Sequence, residues 1–281
     1  MNVLGFDTAT PATAVALRLA DGATSHARDD PSPGERPGHT TRLLALAHGL
    51  LAQAGLRWSD LELIAVGVGP GTFTGLRVGV ASARGLAQSL DVELVGVSTP
   101  RVLAEPALRA AGGRAPVLAA IDARRGEAFL AAYAAAAPPD AARTGARRPD
   151  GAGVIRACEL AAPRALAPQA FAAFLAGTDA GSDAGGEWLA VGDGATRFRP
   201  ELQAAGVTVA PDDSPLHRVD AGVLCELAAA EAGGGEHAGR PPAVLPDYCR
   251  RPDAELALER ARGAAESAAQ PAGGVTESVT A

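Results

Sequence analysis

The sequence predicts an α/β protein made of two similar halves, and three observations support this fold class. An apolar strand that ends in aspartate, at residues 3–7, is repeated at residues 117–122. In each half a later apolar run enters a glycine-rich turn, at residues 61–69 and again at 187–194. Both halves open with two consecutive strands, whereas a simple doubly wound sheet alternates strand and helix from its start. Such self-similarity indicates a duplicated mixed α/β unit.

The elements of the first half follow from apolar periodicity. A helix is predicted from Thr40, with Thr40 as its N-cap and Gly55 just beyond its last turn. The predicted order is strands at 3–6, 12–19 and 23–27, a helix from residue 40, a strand at 61–68, a helix at 75–90 and a strand at 92–98.

The second half repeats this plan with a weaker signal, because alanine and proline dilute it at 134–151, and residues 177–186 form a predicted loop. Its predicted elements are strands at 117–122 and 127–133, a helix at 165–175, a strand at 187–191, a short helix, a strand at 207–210 and a helix at 219–232. A hairpin at the start of each half is the pattern of the duplicated actin-like, ribonuclease-H-like fold.

The domain boundaries follow from the repeat. We expect residues 1–100 to form one subdomain and residues 101–251 a second, both of a βββαβαβα type, with the last helix packing back on the first subdomain. Residues 263–281 contain no aromatic residue and no sustained apolar run, and we expect a disordered tail at 252–281.

Composition excludes several classes of function. The chain has 281 residues and a net charge of −7, which argues against tight nucleic-acid binding by this chain alone. All 25 basic residues are arginines, so neither a phosphate-binding P-loop lysine nor a Schiff base is available. The three cysteines are far apart and fit a reducing compartment. With no secretion signal and no apolar run of membrane-spanning length, we expect a cytoplasmic protein with no membrane association.

Aspartates end the first strand of each half. Asp7 and Asp122 could organise magnesium and phosphate, as carboxylates at such turns do in actin-like phosphotransferases, but we favour bonding to nearby turn N–H groups. The candidate residues of such a vestigial nucleotide or turn site are Asp7, Thr8, Thr10, Gly69, Gly71 and Thr72.

The glycine turn launches the helix at 75–90. Its spacing fits neither a P-loop nor a dinucleotide fingerprint, and Thr72 or Thr74 could cap the helix. Gly75, Gly79 and Ser82 form a small-residue stripe on this helix. A glycine inside a helix costs about 1 kcal/mol, so something must approach closely, either the chain's own sheet or a partner helix.

Histidines suggest no metal site. None of the five forms an i, i+4 pair, and His39 is predicted to have a capping or surface role rather than to act as a ligand or base. With no metal pair and no activated nucleophile, a hydrolase of glycoprotease type is the least favoured alternative.

Five segments together resemble the TsaB (YeaZ) family, over residues 1–251. They are the glycine turn at 69–79, the N-terminal run at 6–10, His39 with Thr40, the run at 121–127 and the run at 191–194. One departure is Cys249, which stands where the family's C-terminal Pro-x-Tyr-Leu-Arg pattern has leucine.

The resemblance implies an actin-like (ASKHA) fold and a role in making N6-threonylcarbamoyladenosine in tRNA. In the family this subunit has no catalytic residues and binds no metal. It pairs with the related catalytic subunit TsaD, with TsaE as an ATPase partner. The resemblance further implies that the protein forms a homodimer in isolation and contacts tRNA only through the complex. It also allows ATP or ADP to bind at the junction between subunits. A stand-alone actin-like, ATP-dependent phosphotransferase is the alternative.

The family's partner surface corresponds to the first two helices of the N-terminal half. Transferred to this sequence, the implied interface residues are His39, Thr40, Leu43, Leu44, Ala47, Phe73, Thr74, Gly75, Arg77, Val78, Gly79 and Ser82.

Overall fold

A computed structural model describes residues 1–32, 34–136, 155–178, 187–232 and 243–249. These residues all lie in one compact unit, residues 1–249. The predicted tail at 252–281 and most of the two segments at 134–151 and 177–186 lie outside the described residues.

Strands and helices alternate after an opening hairpin in each half. The strands are β1 (Val3–Asp7), β2 (Thr13–Arg18), β3 (Thr24–Asp29), β4 (Leu63–Gly69), β5 (Glu93–Ser98), β6 (Val117–Arg124), β7 (Glu127–Ala135), β8 (Ala157–Leu166), β9 (Leu189–Val191) and β10 (Thr208–Val209). The helices are α1 (His39–Gln53), α2 (Phe73–Leu90), α3 (Thr99–Ala110), α4 (Phe171–Ala176), α5 (Asp193–Arg197), α6 (Arg199–Ala204) and α7 (Ala221–Ala232).

Two five-stranded sheets have the same topology, which confirms the duplication. The first has the order β3-β2-β1-β4-β5 and the second has the equivalent order β8-β7-β6-β9-β10. In each sheet the first strand pairs antiparallel with the second and parallel with the fourth. The actin-like fold class is therefore correct.

Both faces of each central strand are buried, because successive side chains point to opposite faces. Along β4, Leu63 and Ala65 belong to the largest apolar cluster, which joins both sheets to α3 and α7. Ile64 and Val66 belong to a second cluster beneath α1 and α2. This alternation fixes α1 and α2 on the outer face of the first sheet, where the candidate site lies.

Helix α3 and strand β8 were not predicted, and the single short helix predicted before the strand at 207–210 is two helices, α5 and α6. Helix α3 was missed because Pro100 and Pro106 interrupt its apolar spacing; the first lies in the opening turn, where proline is tolerated. Strand β8 was missed because it is alanine-rich and lacks clean alternation. It occupies the start of the helix predicted at 165–175, which is reduced to α4.

The capping predictions had mixed outcomes. Helix α1 begins at His39 with Gly38 at the N-cap position and no side-chain cap, so the assignment of Thr40 as N-cap is wrong. Gly55 follows the helix with φ +68°, as predicted for a residue just beyond a helix end. Thr72 does occupy the N-cap position of α2, without a side-chain capping bond.

Candidate functional site

The glycine turn and α2 pack against the turn that follows β1. A side chain at Gly75 would collide with the carbonyl oxygen of Thr8, and one at Gly79 would collide with the Thr8 hydroxyl. At Gly71 the added atom would meet the backbone of Ala9. These glycines therefore leave space into which the chain's own Thr8–Ala9 turn fits.

Hydrogen bonds fix this contact. The Thr8 hydroxyl donates to the Gly75 carbonyl oxygen at 2.7 Å, and the backbone N–H of Thr72 donates to the Ala9 carbonyl oxygen at 2.7 Å. Of the two readings of the small-residue stripe, close packing within the chain is the one that the structure shows for Gly75 and Gly79. Thr8 fills the space beside both glycines, and their place at a partner surface stays a prediction.

Asp7 is fully buried at the end of β1. Its Oδ1 accepts from the backbone N–H of Ala9 at 2.8 Å, and its Oδ2 accepts from the Thr99 hydroxyl at 2.7 Å. The Thr99 oxygen accepts in turn from the N–H of Gly69 at 3.2 Å. Burial raises the pKa of Asp7, while these hydrogen bonds oppose the rise. Asp7 thus joins the β1 turn to the glycine turn, as the turn reading predicts.

Asp122 has a similar role in the second half. Its Oδ1 accepts from the N–H of Arg124 at 2.8 Å, and its Oδ2 accepts from the Arg197 guanidinium at 2.8 Å. Its own N–H donates to Asp193, whose pKa is raised by burial. Both strand-end aspartates are therefore engaged by groups of the chain itself.

A cleft of about 270 Å³ lies between the β1–β2 turn and elements of the second half. Thr10 lines it, together with Arg28, Asp193 and Arg218. Arg28 pairs with Asp30 at 2.8 Å, which occupies part of its guanidinium. The volume is below the range of roughly 300–1,000 Å³ typical of ligand pockets. Asp7 is not among the residues that line the cleft, and its two carboxylate oxygens accept from Ala9 and Thr99. Among the described residues, no group of histidine, cysteine or acidic side chains has the arrangement of a metal site.

His39 is buried, with 4% of its surface exposed, so the prediction of a capping or surface role is wrong. Its Nδ1 lies 2.9 Å from the Thr13 hydroxyl, and its Nε2 is buried without a hydrogen-bond partner among the described residues. Burial lowers the pKa of His39, although the nearby charge of Asp29 opposes this effect. His39 instead ties the start of α1 to β2.

The predicted interface residues divide by exposure into three groups. Five are buried within the chain, two are half-buried and five are exposed. The buried ones are His39, Leu43, Ala47, Gly75 and Gly79, the half-buried ones are Val78 and Ser82, and the exposed ones are Thr40, Leu44, Phe73, Thr74 and Arg77.

Sequence reasoning missed a contribution from the C-terminal segment at 243–249. Tyr248, which is 41% exposed, packs its ring against that of Phe73 with the centroids 5.5 Å apart. The Arg77 guanidinium lies 3.8 Å from the Phe73 ring centroid. The Pro-x-Tyr pattern at Pro246 was the available signal, but nothing in the sequence indicated which surface it would contact.

None of the helices in the described part of the chain is long and apolar enough to cross a membrane. The two sheets of equal topology and the aspartate turns define a protein of the actin-like class. A family model described as "TsaD: tRNA N6-adenosine threonylcarbamoyltransferase" matches residues 35–258. The chain belongs to the family that this model describes, and its relatives place it among the TsaB (YeaZ) members.

Among these relatives, TsaB of Escherichia coli K12 is named a tRNA threonylcarbamoyladenosine biosynthesis protein. It is 43% identical over 133 residues, which cover 47% of this chain and 55% of the relative. TsaB of Bacillus subtilis 168 is 32% identical over 138 residues, with the same coverage of 47% and 55%. The chain thus spans about half the length of the curated relatives it matches.

Solved structures match over a larger part of the chain. The structure titled "YeaZ from Pseudomonas aeruginosa" has a TM-score of 0.64 and 28% sequence identity, and the match covers 88% of this chain and 99% of that one. A second Pseudomonas aeruginosa structure, described as having similarity to peptidase YeaZ, has a TM-score of 0.65 at the same identity.

Proposed function

We propose that this protein is a non-catalytic scaffold subunit in the synthesis of N6-threonylcarbamoyladenosine in tRNA, and that it binds and activates the catalytic subunit TsaD. The observation that carries the proposal is the match of residues 35–258 to the TsaD family model, together with relatives named as TsaB. The internal bonding of the strand-end aspartates supports the non-catalytic part.

That bonding bears directly on phosphotransferase chemistry. Asp7 accepts hydrogen bonds on both carboxylate oxygens from the chain itself, at 2.8 and 2.7 Å. A carboxylate that holds magnesium must offer an oxygen to the metal, whereas Asp7 has no exposed surface. Asp122 is likewise engaged, by Arg197. These contacts favour the scaffold over the stand-alone phosphotransferase.

The partner surface in this proposal is the exposed part of α1 and α2. Leu44 is 48% exposed and Phe73 is 43% exposed, and both are large apolar residues. Apolar anchors of this kind, within a polar surround, are typical of protein interfaces. The half-buried Val78 and Ser82 would contribute at the edge.

Further parts of the proposal concern the assembly. TsaE would act as the ATPase partner, tRNA would be contacted only through the complex, and ATP or ADP would bind at the junction between subunits. In isolation the chain would form a homodimer through an overlapping face, so that self-association competes with TsaD binding. The protein would work in the cytoplasm.

A reconstituted reaction tests this proposal. Purified chain, cognate TsaD and tRNA are combined, and the modified nucleoside is quantified in the presence and absence of the chain. Complex formation is followed by size-exclusion chromatography. We expect a stable complex and modification that depends on the chain. A chain that neither binds TsaD nor affects modification would refute the proposal.

Matched variants locate the surface. Leu44→Asp introduces a charge on α1 and should weaken TsaD binding by about tenfold. Gln203→Asp introduces the same charge at an exposed position of α6 and should leave binding unchanged. A rise in the melting temperature of the isolated chain with magnesium–ATP, together with turnover of ATP on a small molecule, would instead support the phosphotransferase, since a ligand of the native state stabilises it.

A further inference from the structure

The C-terminal segment at residues 243–249, here called the strap, crosses the glycine turn. The backbone N–H of Asp247 donates to the Val68 carbonyl oxygen at 2.8 Å. Val244 packs so closely on β5 that a side chain at Gly96 would lie 2.9 Å from its methyl group. The strap is thus attached to the carboxyl ends of β4 and β5, close to the start of α2.

The strap brings Tyr248 onto the exposed start of α2. The Arg77 Nε lies 3.3 Å from the Tyr248 hydroxyl, to which it donates a hydrogen bond. Arg77 also lies over the Phe73 ring at 3.8 Å, and that ring contacts Tyr248. These three exposed side chains, Phe73, Arg77 and Tyr248, form one cluster built from parts of the chain about 170 residues apart in sequence.

Arg77 is held by only one of its nitrogens. Within the described residues its terminal Nη atoms make no hydrogen bond or ion pair, and its Cζ lies 3.8 Å from the centroid of the Phe73 ring. A guanidinium held in this orientation can form a bidentate hydrogen bond with a carboxylate at a low entropic cost, because its side chain is already restrained before binding.

We propose that the strap orients Arg77 as a contact for an acidic side chain of the TsaD subunit, with Tyr248 as the positioning residue. This inference rests on the proposed function. Phe73, which is 43% exposed, supplies apolar area beside the charged contact. A second copy of the chain fits less well, because a symmetric dimer through this cluster would bring two Arg77 side chains towards one another.

The experiment measures the affinity of full-length chain for cognate TsaD by calorimetry at low and high salt. Arg77→Ala should weaken binding by about tenfold and reduce the salt dependence, because an ion pair is lost. Arg77→Lys should recover less than half of that loss on a logarithmic scale, since an ammonium lacks the planar fork. Tyr248→Phe should weaken binding by about threefold and keep the salt dependence.

Controls separate the possible outcomes. Arg164→Ala removes an exposed arginine of β8 and should leave the affinity within about twofold. Melting curves check that each variant is folded. Wild-type binding together with unchanged affinity in Arg77→Ala and Tyr248→Phe would overturn this inference and leave the proposed function standing. Loss of self-association instead of TsaD binding would also overturn it. A wild-type chain that does not bind TsaD overturns both.

Discussion

Gly75→Ala should destabilise the protein, although alanine is the better helix former. In an unobstructed helix this change would stabilise by about 1 kcal/mol. Here the new methyl group would collide with the Thr8 carbonyl oxygen, which is backbone and cannot rotate away. Overpacking of a well-packed site costs about 1–3 kcal/mol or more, and shifting the Thr8 turn would strain its 2.7 Å hydrogen bond to Gly75. We therefore expect a net loss of about 1–3 kcal/mol in the free energy of unfolding.

Gly85→Ala on the same helix is the matched control. Nothing lies within 4 Å of a side-chain atom added at Gly85, so this variant should be more stable by about 0.5–1 kcal/mol. Urea unfolding, monitored by circular dichroism, measures both differences when the variants and the wild type share the same dependence of unfolding free energy on urea concentration. If Gly75→Ala stabilised the protein as much as Gly85→Ala does, Thr8 would not occupy the space beside α2 and the close-packing argument would fail.

Three further predictions concern the same region. Thr8→Val removes the hydroxyl donated to Gly75 while keeping the side-chain shape, and should cost about 1–2 kcal/mol in urea unfolding; no change would show that the hydroxyl is dispensable. Because the folded-state pKa of Asp7 is raised, its contribution to stability is complete at acid pH and falls as pH rises from its ordinary value of 3.8 through the folded pKa. The stability difference between wild type and Asp7→Asn should therefore decline over that interval, and a pH-independent difference would contradict it. Burial lowers the folded-state pKa of His39, so its contribution to stability is complete above pH 6.5 and is lost as pH falls from 6.5 through the folded pKa. His39→Gln should weaken this loss, which melting curves at pH 5–8 measure.

The apolar pattern of the sequence predicted helices and strands correctly where the buried residues of a segment are large and regularly spaced. The strand at β1 and the helix at α2 were predicted within two or three residues, because continuous apolar runs and helical spacing report burial directly. The prediction missed α3 and β8 because their alanines and prolines carry little periodic signal. Those two elements are held by tertiary contacts, such as the bond from the Ala157 N–H to the buried Glu105 carboxylate at 2.9 Å.

The sequence by itself determined the duplicated fold, the family, and the two motifs at the β1 turn and the glycine turn. Only the tertiary structure decided what these motifs do to each other. From sequence, Gly75 and Gly79 were equally consistent with a partner helix and with the chain's own sheet. A glycine in a helix indicates that another part of a protein packs closely there, but it does not identify that part. The fold places Thr8 in that space and Tyr248 over Phe73 and Arg77. Contacts between segments distant along the chain depend on how the sheets and helices pack, which local periodicity does not encode.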